Sequence, residues 1–108
     1  MGLFDMFMGK GIDVYAVEAG QIGAQLVDVR EPAEFKQGHI KGALNIPLST
    51  IPSAEKKLPQ KDEALYVYCL SGGRSGRACS QLKAMGYTNV TNIGGISGYT
   101  GPVVTGSK

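Results

Sequence analysis

The chain has 108 residues, enough for one domain with a single ordinary core and too few for two. Its apolar share of 43% and charged share of 19% are typical of a soluble globular protein, and a net charge of +2 is too small to predict nucleic-acid binding. One histidine and two cysteines without a C-x-x-C pair lack the ligand spacing of a zinc site. Neither a metal nor another cofactor is predicted, whereas a small anionic substrate remains compatible with this balance.

The N-terminal segment, residues 1–11, is apolar at Leu3, Phe4, Phe7 and Met8. It lacks the basic start, the long apolar run and the cleavage site of a signal peptide, and no later segment approaches membrane-spanning length. We therefore predict a peripheral segment and no membrane contact, with the four apolar residues as candidates for contact with another chain.

Short apolar runs alternate with amphipathic ones along the rest of the chain, which predicts an α/β domain with a parallel sheet and helices on both faces. The predicted strands are residues 12–15, 25–29, 43–46, 65–69 and 90–93. The predicted helices are residues 32–37, 53–58 and 75–85, the last with Gly86 as its C-terminal cap. The domain core is expected to span residues 12–99, followed by a peripheral tail, residues 100–108, whose composition is typical of a flexible segment.

The strongest chemical signal follows the fourth predicted strand. Cys69 ends that strand and opens a glycine-containing loop that leads into the longest predicted helix. A thiol that faces the N–H groups of a helix N-terminus has a stabilised thiolate and a lowered pKa. Cys69 is therefore a candidate nucleophile, whereas Cys79, on the apolar face of the helix, is predicted to be an inert core residue.

The length of this loop narrows the chemistry. Four residues separate Cys69 from Arg74, whereas cysteine-dependent phosphatases place five residues in a comparable loop around a tetrahedral phosphate. A shorter loop forms a narrower bowl, which fits a terminal sulfur carried on the cysteine as a persulfide.

The sequence of residues 69–75, Cys-Leu-Ser-Gly-Gly-Arg-Ser, resembles the active loop of the rhodanese family of sulfurtransferases. The upstream block Asp-Val-Arg-Glu at residues 28–31, followed by Glu34-Phe35 and by Gly-His-Ile-Lys-Gly-Ala-Leu-Asn-Ile-Pro at residues 38–47, is also similar to that family. So are Gly86-Tyr87 and Gly94-Gly95-Ile96 further on. The resemblance covers residues 12–99 in order, nearly the whole domain.

This resemblance implies a rhodanese-like domain with a central five-stranded parallel sheet and a two-step reaction on Cys69. A thiolate takes the outer sulfur of thiosulfate or a similar donor, and the resulting persulfide passes it to cyanide or a thiol acceptor. The implied partners are this anionic donor, the acceptor and a sulfur-accepting protein. Two thiols ten positions apart in a chain with its own core predict a cytoplasmic location.

The predicted site consists of Cys69 and the residues of its loop. The backbone N–H groups of the loop are expected to stabilise the anion, with the glycines permitting the turn. The loop residues are Leu70, Ser71, Gly72, Gly73, Arg74 and Ser75. The two serines are expected to act as loop and N-cap hydrogen-bonding residues. Arg74 has two interpretations: it faces the donor's oxygens, which we favour, or it turns back to brace the loop through an acidic residue.

Arg30 and His39 have competing interpretations. Arg30, at the carboxyl end of a strand, is a candidate pocket residue, but an ion-pair network with Asp28 and Glu34 is the favoured interpretation. His39 could serve a Cys-His hydrolase as its base, but no orienting group is signalled beside it, so a structural turn is favoured.

Two other functions remain open from the sequence. One is a cysteine-dependent phosphatase or arsenate reductase of related fold, against which the loop length argues. The other is a non-enzymatic binding or regulatory module, because the same fold can serve binding alone. The presence of Cys69 with its glycines and arginine favours catalysis over this second alternative.

Overall fold

The computed structural model describes residues 10–108 of the chain. Residues 1–9, which carry the four apolar side chains predicted to contact another chain, lie outside the described residues. The elements are, in order, α1 (Ile12–Ile22), β1 (Gln25–Asp28), α2 (Pro32–Gln37), β2 (His39–Ile40), β3 (Leu44–Asn45), a 3-10 helix (Leu48–Lys56), β4 (Leu65–Cys69), α3 (Gly73–Ala84), β5 (Val90–Gly95), a 3-10 turn (Ile96–Gly98) and β6 (Val103–Val104). None of the helices in the described part is long and apolar enough to cross a bilayer.

A four-stranded parallel sheet forms the centre of the domain, with the strand order β3-β1-β4-β5. The α/β class and the parallel sheet are as predicted, but the expected fifth strand is absent from the described residues. All five residues of β4 are buried, which is typical of an inner strand covered on both faces. β4 is therefore a rigid support for whatever follows its carboxyl end.

The strand predicted at residues 12–15 is part of a helix. Residues 12–15 belong to α1, which buries Ile12 and Ala19 on one face and ends at Gly23 with a φ of 74°. The β-branched residues of this short window favour a strand, but Ile12 and Ala19 are seven positions apart, the spacing of two helical turns. The strand prediction is wrong because four residues are too few to separate the two periods.

The sheet divides the core into two apolar clusters, one on each face. Val27, Val67 and Cys69 face the first cluster, which also contains residues of α3 and the 3-10 helix. Leu26, Tyr66 and Tyr68 face the second cluster, together with residues of α1. Because side chains alternate along a strand, Cys69 lies on the α3 side while its neighbour Tyr68 lies on the other side. The prediction of helices on both faces is confirmed.

A β-bulge interrupts the pairing of β4 with the edge strand β5. Val67 pairs with Asn92 and Tyr68 pairs with Gly94, so Ile93 is an extra residue on β5. Ile93 itself is buried in the cluster on the α1 side. The bulge bends β5 close to the carboxyl end of β4.

The tail predicted to be flexible is bound to the domain. Val103–Val104 pairs antiparallel with His39–Ile40 in a separate two-stranded ribbon. The backbone N–H of Gly106 donates to the carbonyl of Lys36 at 2.9 Å. The composition of the tail wrongly indicates flexibility because these contacts are made by the backbone, and glycine and serine residues do not prevent backbone hydrogen bonds.

Candidate functional site

The predicted loop begins where the central strand ends. Cys69 is the last residue of β4 and Gly73 the first residue of α3, so strand passes into helix through only three residues. Gly72 caps the helix with a φ of 107°, a left-handed conformation that glycine adopts without strain. Because the first N–H groups of a helix have no intrahelical partner, this turn presents free donors beside the cysteine.

The loop lies directly against the end of β5. A Cβ atom on Gly95 would be 2.1 Å from the carbonyl oxygen of Leu70 and 2.5 Å from the Cα of Ser71. The same Leu70 carbonyl accepts a hydrogen bond of 3.1 Å from the backbone N–H of Ser97. Gly95 therefore permits an approach that another residue at this position would prevent, and Ser97 holds the loop there.

Hydrogen-bond donors surround the Cys69 sulfur. The backbone N–H of Gly72 donates to Sγ at 3.0 Å, and Ser75 Oγ lies 3.4 Å from Sγ. Burial by itself raises the pKa of the Cys69 thiol, but the Ser75 hydroxyl and the backbone N–H groups of Ser75, Gly72 and Ser71 outweigh it. The pKa therefore lies below its ordinary value, as the sequence predicts for a nucleophile.

Ser75 is the third residue of α3 and not its N-cap, which corrects the prediction. Its side chain is fully buried, and its Oγ contacts Asn92 Oδ1 at 2.8 Å and the carbonyl of Gly72 at 3.0 Å. Ser71, the other predicted hydrogen-bonding residue, has an exposed side chain. Sequence reasoning missed Asn92; the available signal was a polar residue in the middle of the strand beside β4.

Arg74 takes the bracing orientation, the alternative that we did not favour. Its Nη1 and Nη2 atoms donate to the two carboxylate oxygens of Glu34 at 2.7 and 3.0 Å. These bonds lower the pKa of Glu34 to about 2, and both side chains remain about a third exposed, at 34% and 31%. The pair joins the start of α3 to α2, because two parallel hydrogen bonds fix the orientation of the guanidinium.

Arg30 is occupied by structural contacts. Its guanidinium donates to both carboxylate oxygens of Asp28 and, through Nη2, to the carbonyl of Gly38 at 2.7 Å. The residue is buried, and its guanidinium lies over the ring of Tyr68, 5.9 Å from the ring centre, on the α1 side of the sheet. The structure therefore favours the ion-pair interpretation of Arg30 over the pocket interpretation.

His39 and Cys79 are placed as the sequence predicts. His39 is fully buried and stacks on the Phe35 ring; its Nδ1 lies 2.8 Å from the Phe35 carbonyl oxygen and its Nε2 lies 3.0 Å from the backbone oxygen of Lys108. Both ring nitrogens are thus engaged away from Cys69, which excludes a general base in this arrangement. Cys79 lies in the apolar cluster, and burial raises its pKa to about 11.

The fold and the loop after β4 both match a known protein family. The rhodanese-like domain family matches residues 14–101, which include Cys69, its loop and every strand of the four-stranded sheet. The chain belongs to the rhodanese-like domain family.

Relatives of this rhodanese-like domain include a named enzyme of nearly equal length. The chain is 36% identical over 106 residues to the thiosulfate sulfurtransferase PspE of Escherichia coli, covering 97% of this chain and 96% of that protein. It is 47% identical over 77 residues to the uncharacterized protein YqhL of Bacillus subtilis, of which it spans 60%. The expectation of an enzyme of rhodanese type is confirmed by the first of these relatives.

Solved structures agree with the fold. A structure described as a rhodanese with anions from E. coli is 39% identical and has a TM-score of 0.72, covering 77% of this chain and 99% of that one. The Alr3790 protein from Anabaena has a TM-score of 0.78 at 25% identity. The rhodanese-like fold is thus supported by both sequence and structure.

Proposed function

We propose that this rhodanese-like domain transfers a sulfane sulfur through a persulfide on Cys69. The observation that carries the proposal is the set of donors at the sulfur. The N–H of Gly72 at 3.0 Å and the Ser75 hydroxyl at 3.4 Å would spread the negative charge of a thiolate or of a persulfide.

The first step is a displacement at sulfur. The Cys69 thiolate attacks the outer sulfur of thiosulfate, a new S–S bond forms, and the bond to the inner sulfur breaks with its electron pair leaving on sulfite. The cysteine then carries a persulfide anion, so charge and atoms balance without an oxidant. A thiolate already formed at Cys69 needs no general base, which agrees with the engagement of both His39 nitrogens elsewhere.

The cover over the sulfur favours a small donor. Cys69 is only 1% exposed, and Gly72 of the loop lies within hydrogen-bond distance of its sulfur. A donor therefore has to present a terminal sulfur atom, as thiosulfate does. Leu70, which is 46% exposed at the rim, offers an apolar contact to a larger acceptor.

The second step returns the cysteine to its starting state. Cyanide in an assay, or a thiol in a cell, attacks the outer sulfur of the persulfide and leaves the Cys69 thiolate behind. A sulfur-accepting protein is a further partner of the same chemistry. We also propose a cytoplasmic location, because the described chain contains two free buried thiols, which suit a reducing compartment.

The alternatives fit the site less well. A phosphatase of this kind needs an arginine that faces the phosphate oxygens, whereas Arg74 binds both oxygens of Glu34. A binding module has no use for a thiol with a lowered pKa. Neither alternative has an observation of its own in its favour.

The test is a mass measurement after exposure to thiosulfate. The wild-type protein is expected to gain the mass of one sulfur atom and to release it as thiocyanate when cyanide is added. Cys69→Ser should abolish both events, because the serine hydroxyl is a far weaker nucleophile at neutral pH.

The second cysteine supplies the control. Cys79→Ser should keep the added sulfur and thiocyanate formation, because Cys79 lies in the apolar cluster. Wild-type protein that gains no sulfur from thiosulfate or from an organic persulfide would contradict the proposal. Hydrolysis of an aryl phosphate that depends on Cys69 would favour the phosphatase instead.

A further inference from the structure

Asn92 lies opposite Ser75, in the middle of the edge strand β5 and directly before its bulge. Its Oδ1 atom lies 2.8 Å from Ser75 Oγ and accepts the backbone N–H of Gly94 at 3.1 Å. Its Nδ2 atom donates to the carbonyl of Gly72 at 3.2 Å. One amide therefore touches the cap of α3, the hydroxyl beside the nucleophile and the bulged end of β5.

These contacts fix the orientation of the amide. Only an oxygen can accept the N–H of Gly94, and only the nitrogen can donate to the carbonyl of Gly72. Since Oδ1 accepts and never donates, the 2.8 Å contact requires that Ser75 is the donor. Of the oxygen acceptors around Ser75 Oγ, Asn92 Oδ1 is the nearest, so it is the favoured acceptor of the single hydroxyl proton while Cys69 is a neutral thiol.

Four acceptors compete for that proton. Besides Asn92 Oδ1, they are the carbonyl of Gly72 at 3.0 Å, the carbonyl of Gly94 at 3.5 Å and the Cys69 sulfur at 3.4 Å. Asn92 Nδ2 occupies the Gly72 carbonyl and so makes it a poorer acceptor for Ser75. When the sulfur becomes an anion, it is the stronger acceptor, and Oδ1 still keeps the N–H of Gly94.

We propose that Asn92 is a positioning residue for the Cys69 sulfur, acting by holding the Ser75 hydroxyl and the carbonyl of Gly72 in place. It keeps the hydroxyl away from the Gly72 carbonyl and close enough to reach the sulfur by a small rotation. The same amide, through that carbonyl, secures the residue whose own N–H is the 3.0 Å donor to the sulfur. This role rests on the proposed function, in which Cys69 is the nucleophile.

Few charged groups compete with this effect at the sulfur. The Arg74 guanidinium of α3 interacts with Cys69, but it is paired with the Glu34 carboxylate of α2. The other titratable neighbour on α3 is the Cys79 thiol. β5 contributes no titratable side chain, because residues 90–95 are Val, Thr, Asn, Ile, Gly and Gly. The acidic and tyrosine side chains of β1 and β4 lie on the opposite face.

The test is the pH dependence of alkylation at Cys69 by iodoacetamide, read by peptide mass. Ser75→Ala is expected to raise the midpoint of the rate profile by about one pH unit, because a charge-assisted hydrogen bond is lost. Asn92→Ala should raise it by at least about half a pH unit. The double variant should raise it by less than the sum of the two single shifts, because Asn92 acts largely through Ser75.

Matched variants provide the controls. Ser80→Ala removes an exposed hydroxyl of the same helix and Asn89→Ala an exposed asparagine before β5, and neither should move the midpoint. Ser75→Thr, which keeps the hydroxyl, should retain a midpoint near that of the wild type. If Asn92→Ala does not fold, as judged by circular dichroism, Asn92→Ser is measured in its place, with the same upward shift expected.

Two outcomes would overturn the proposal. One is an alkylation profile of the folded Asn92 variant that has the wild-type midpoint, whatever its activity, since a merely structural role would lower activity without moving it. The other is a double-variant shift equal to the sum of the single shifts. Alkylation does not require sulfur transfer, so a wild-type protein that gains no sulfur would defeat the proposed function while leaving this readout intact.

Discussion

Cys69 and Cys79 are both buried, at 1% and 5% exposure, yet the pKa values of their thiols shift in opposite directions. The pKa of Cys69 is lowered, whereas burial raises that of Cys79 to about 11. They also share one apolar cluster on the same face of the sheet. Burial alone therefore does not decide whether a cysteine can react.

The difference lies in the backbone around each sulfur. Cys79 is in the interior of α3, where the N–H groups are used within the helix and none is left for a thiolate. Cys69 precedes the same helix, where the first N–H groups have no helical partner and one donates to Sγ at 3.0 Å. The same helix thus leaves a free N–H donor for the cysteine before it and none for the cysteine within it.

The largest expected effect is on alkylation at about pH 7.5, where Cys69 should react on the order of 100-fold faster than Cys79. The reason is the thiolate fraction, which is very small for a thiol with a pKa of about 11. Peptide mass spectrometry of a time course with iodoacetamide measures both rates in one sample. Equal rates would remove the distinction between the two sites.

A change at Gly95 should move Cys69 towards the behaviour of Cys79. Gly95→Ala places a methyl group 2.1 Å from the Leu70 carbonyl, so the loop has to shift and its N–H donors leave the sulfur. We expect sulfur transfer and Cys69 alkylation to fall by at least about tenfold, with Cys79 unchanged. Gly98→Ala, which meets no atom within 4 Å, is the matched control. Wild-type alkylation of Cys69 in Gly95→Ala would contradict the role given to this close approach.

The smallest effect concerns the ion pair beside the loop. The pKa of Glu34 is lowered to about 2 by its bonds to Arg74, so the pair stabilises the fold above the ordinary pKa of 4.5 and loses this contribution as pH falls towards 2. Glu34→Gln should therefore lower the free energy of unfolding near neutral pH, by under about 1 kcal/mol because the pair is partly exposed.

Urea unfolding of Glu34→Gln and wild type at about pH 7 and about pH 3 measures this difference, which should shrink at the lower pH. Glu55→Gln, at an ion pair with a 60% exposed carboxylate, is the control and should show little change at either pH. A loss of stability that is equal at both values would count against the pair. Alkylation of Cys79 should not respond to either variant.

Several secondary-structure elements of this domain can be predicted from its sequence because the patterns that mark them are local. The bounds of β4 and α2 agree with prediction, since a five-residue apolar run and a proline-led turn of helix each mark their own ends. The prediction of Cys69 as a nucleophile depends on the same apolar run and on the glycines after it. The exchange of a predicted strand for α1 has the opposite cause, because residues 12–15 alone satisfy both periods.

The details of the site depend on contacts between distant residues, which the sequence does not reveal. Arg74 meets Glu34, which is 40 positions away, and Ser75 meets Asn92, 17 positions away. The chemistry of a guanidinium favours an Arg74 that faces the oxygens of the sulfur donor, and only the packing of α2 beside the loop decides against this orientation. Asn92 carried no motif at all.

The extra residue in β5 has a consequence for anyone who would redesign this fold. Deleting Ile93 would give β4 and β5 an unbroken ladder, and a criterion based on regular pairing would judge the result an improvement. The deletion would also remove a buried side chain from the cluster on the α1 side and move Gly94, whose backbone N–H donates to Asn92 Oδ1. The bulge thus contributes to the contacts that Asn92 makes beside Ser75, and a regular strand would disturb the surroundings of the Cys69 sulfur.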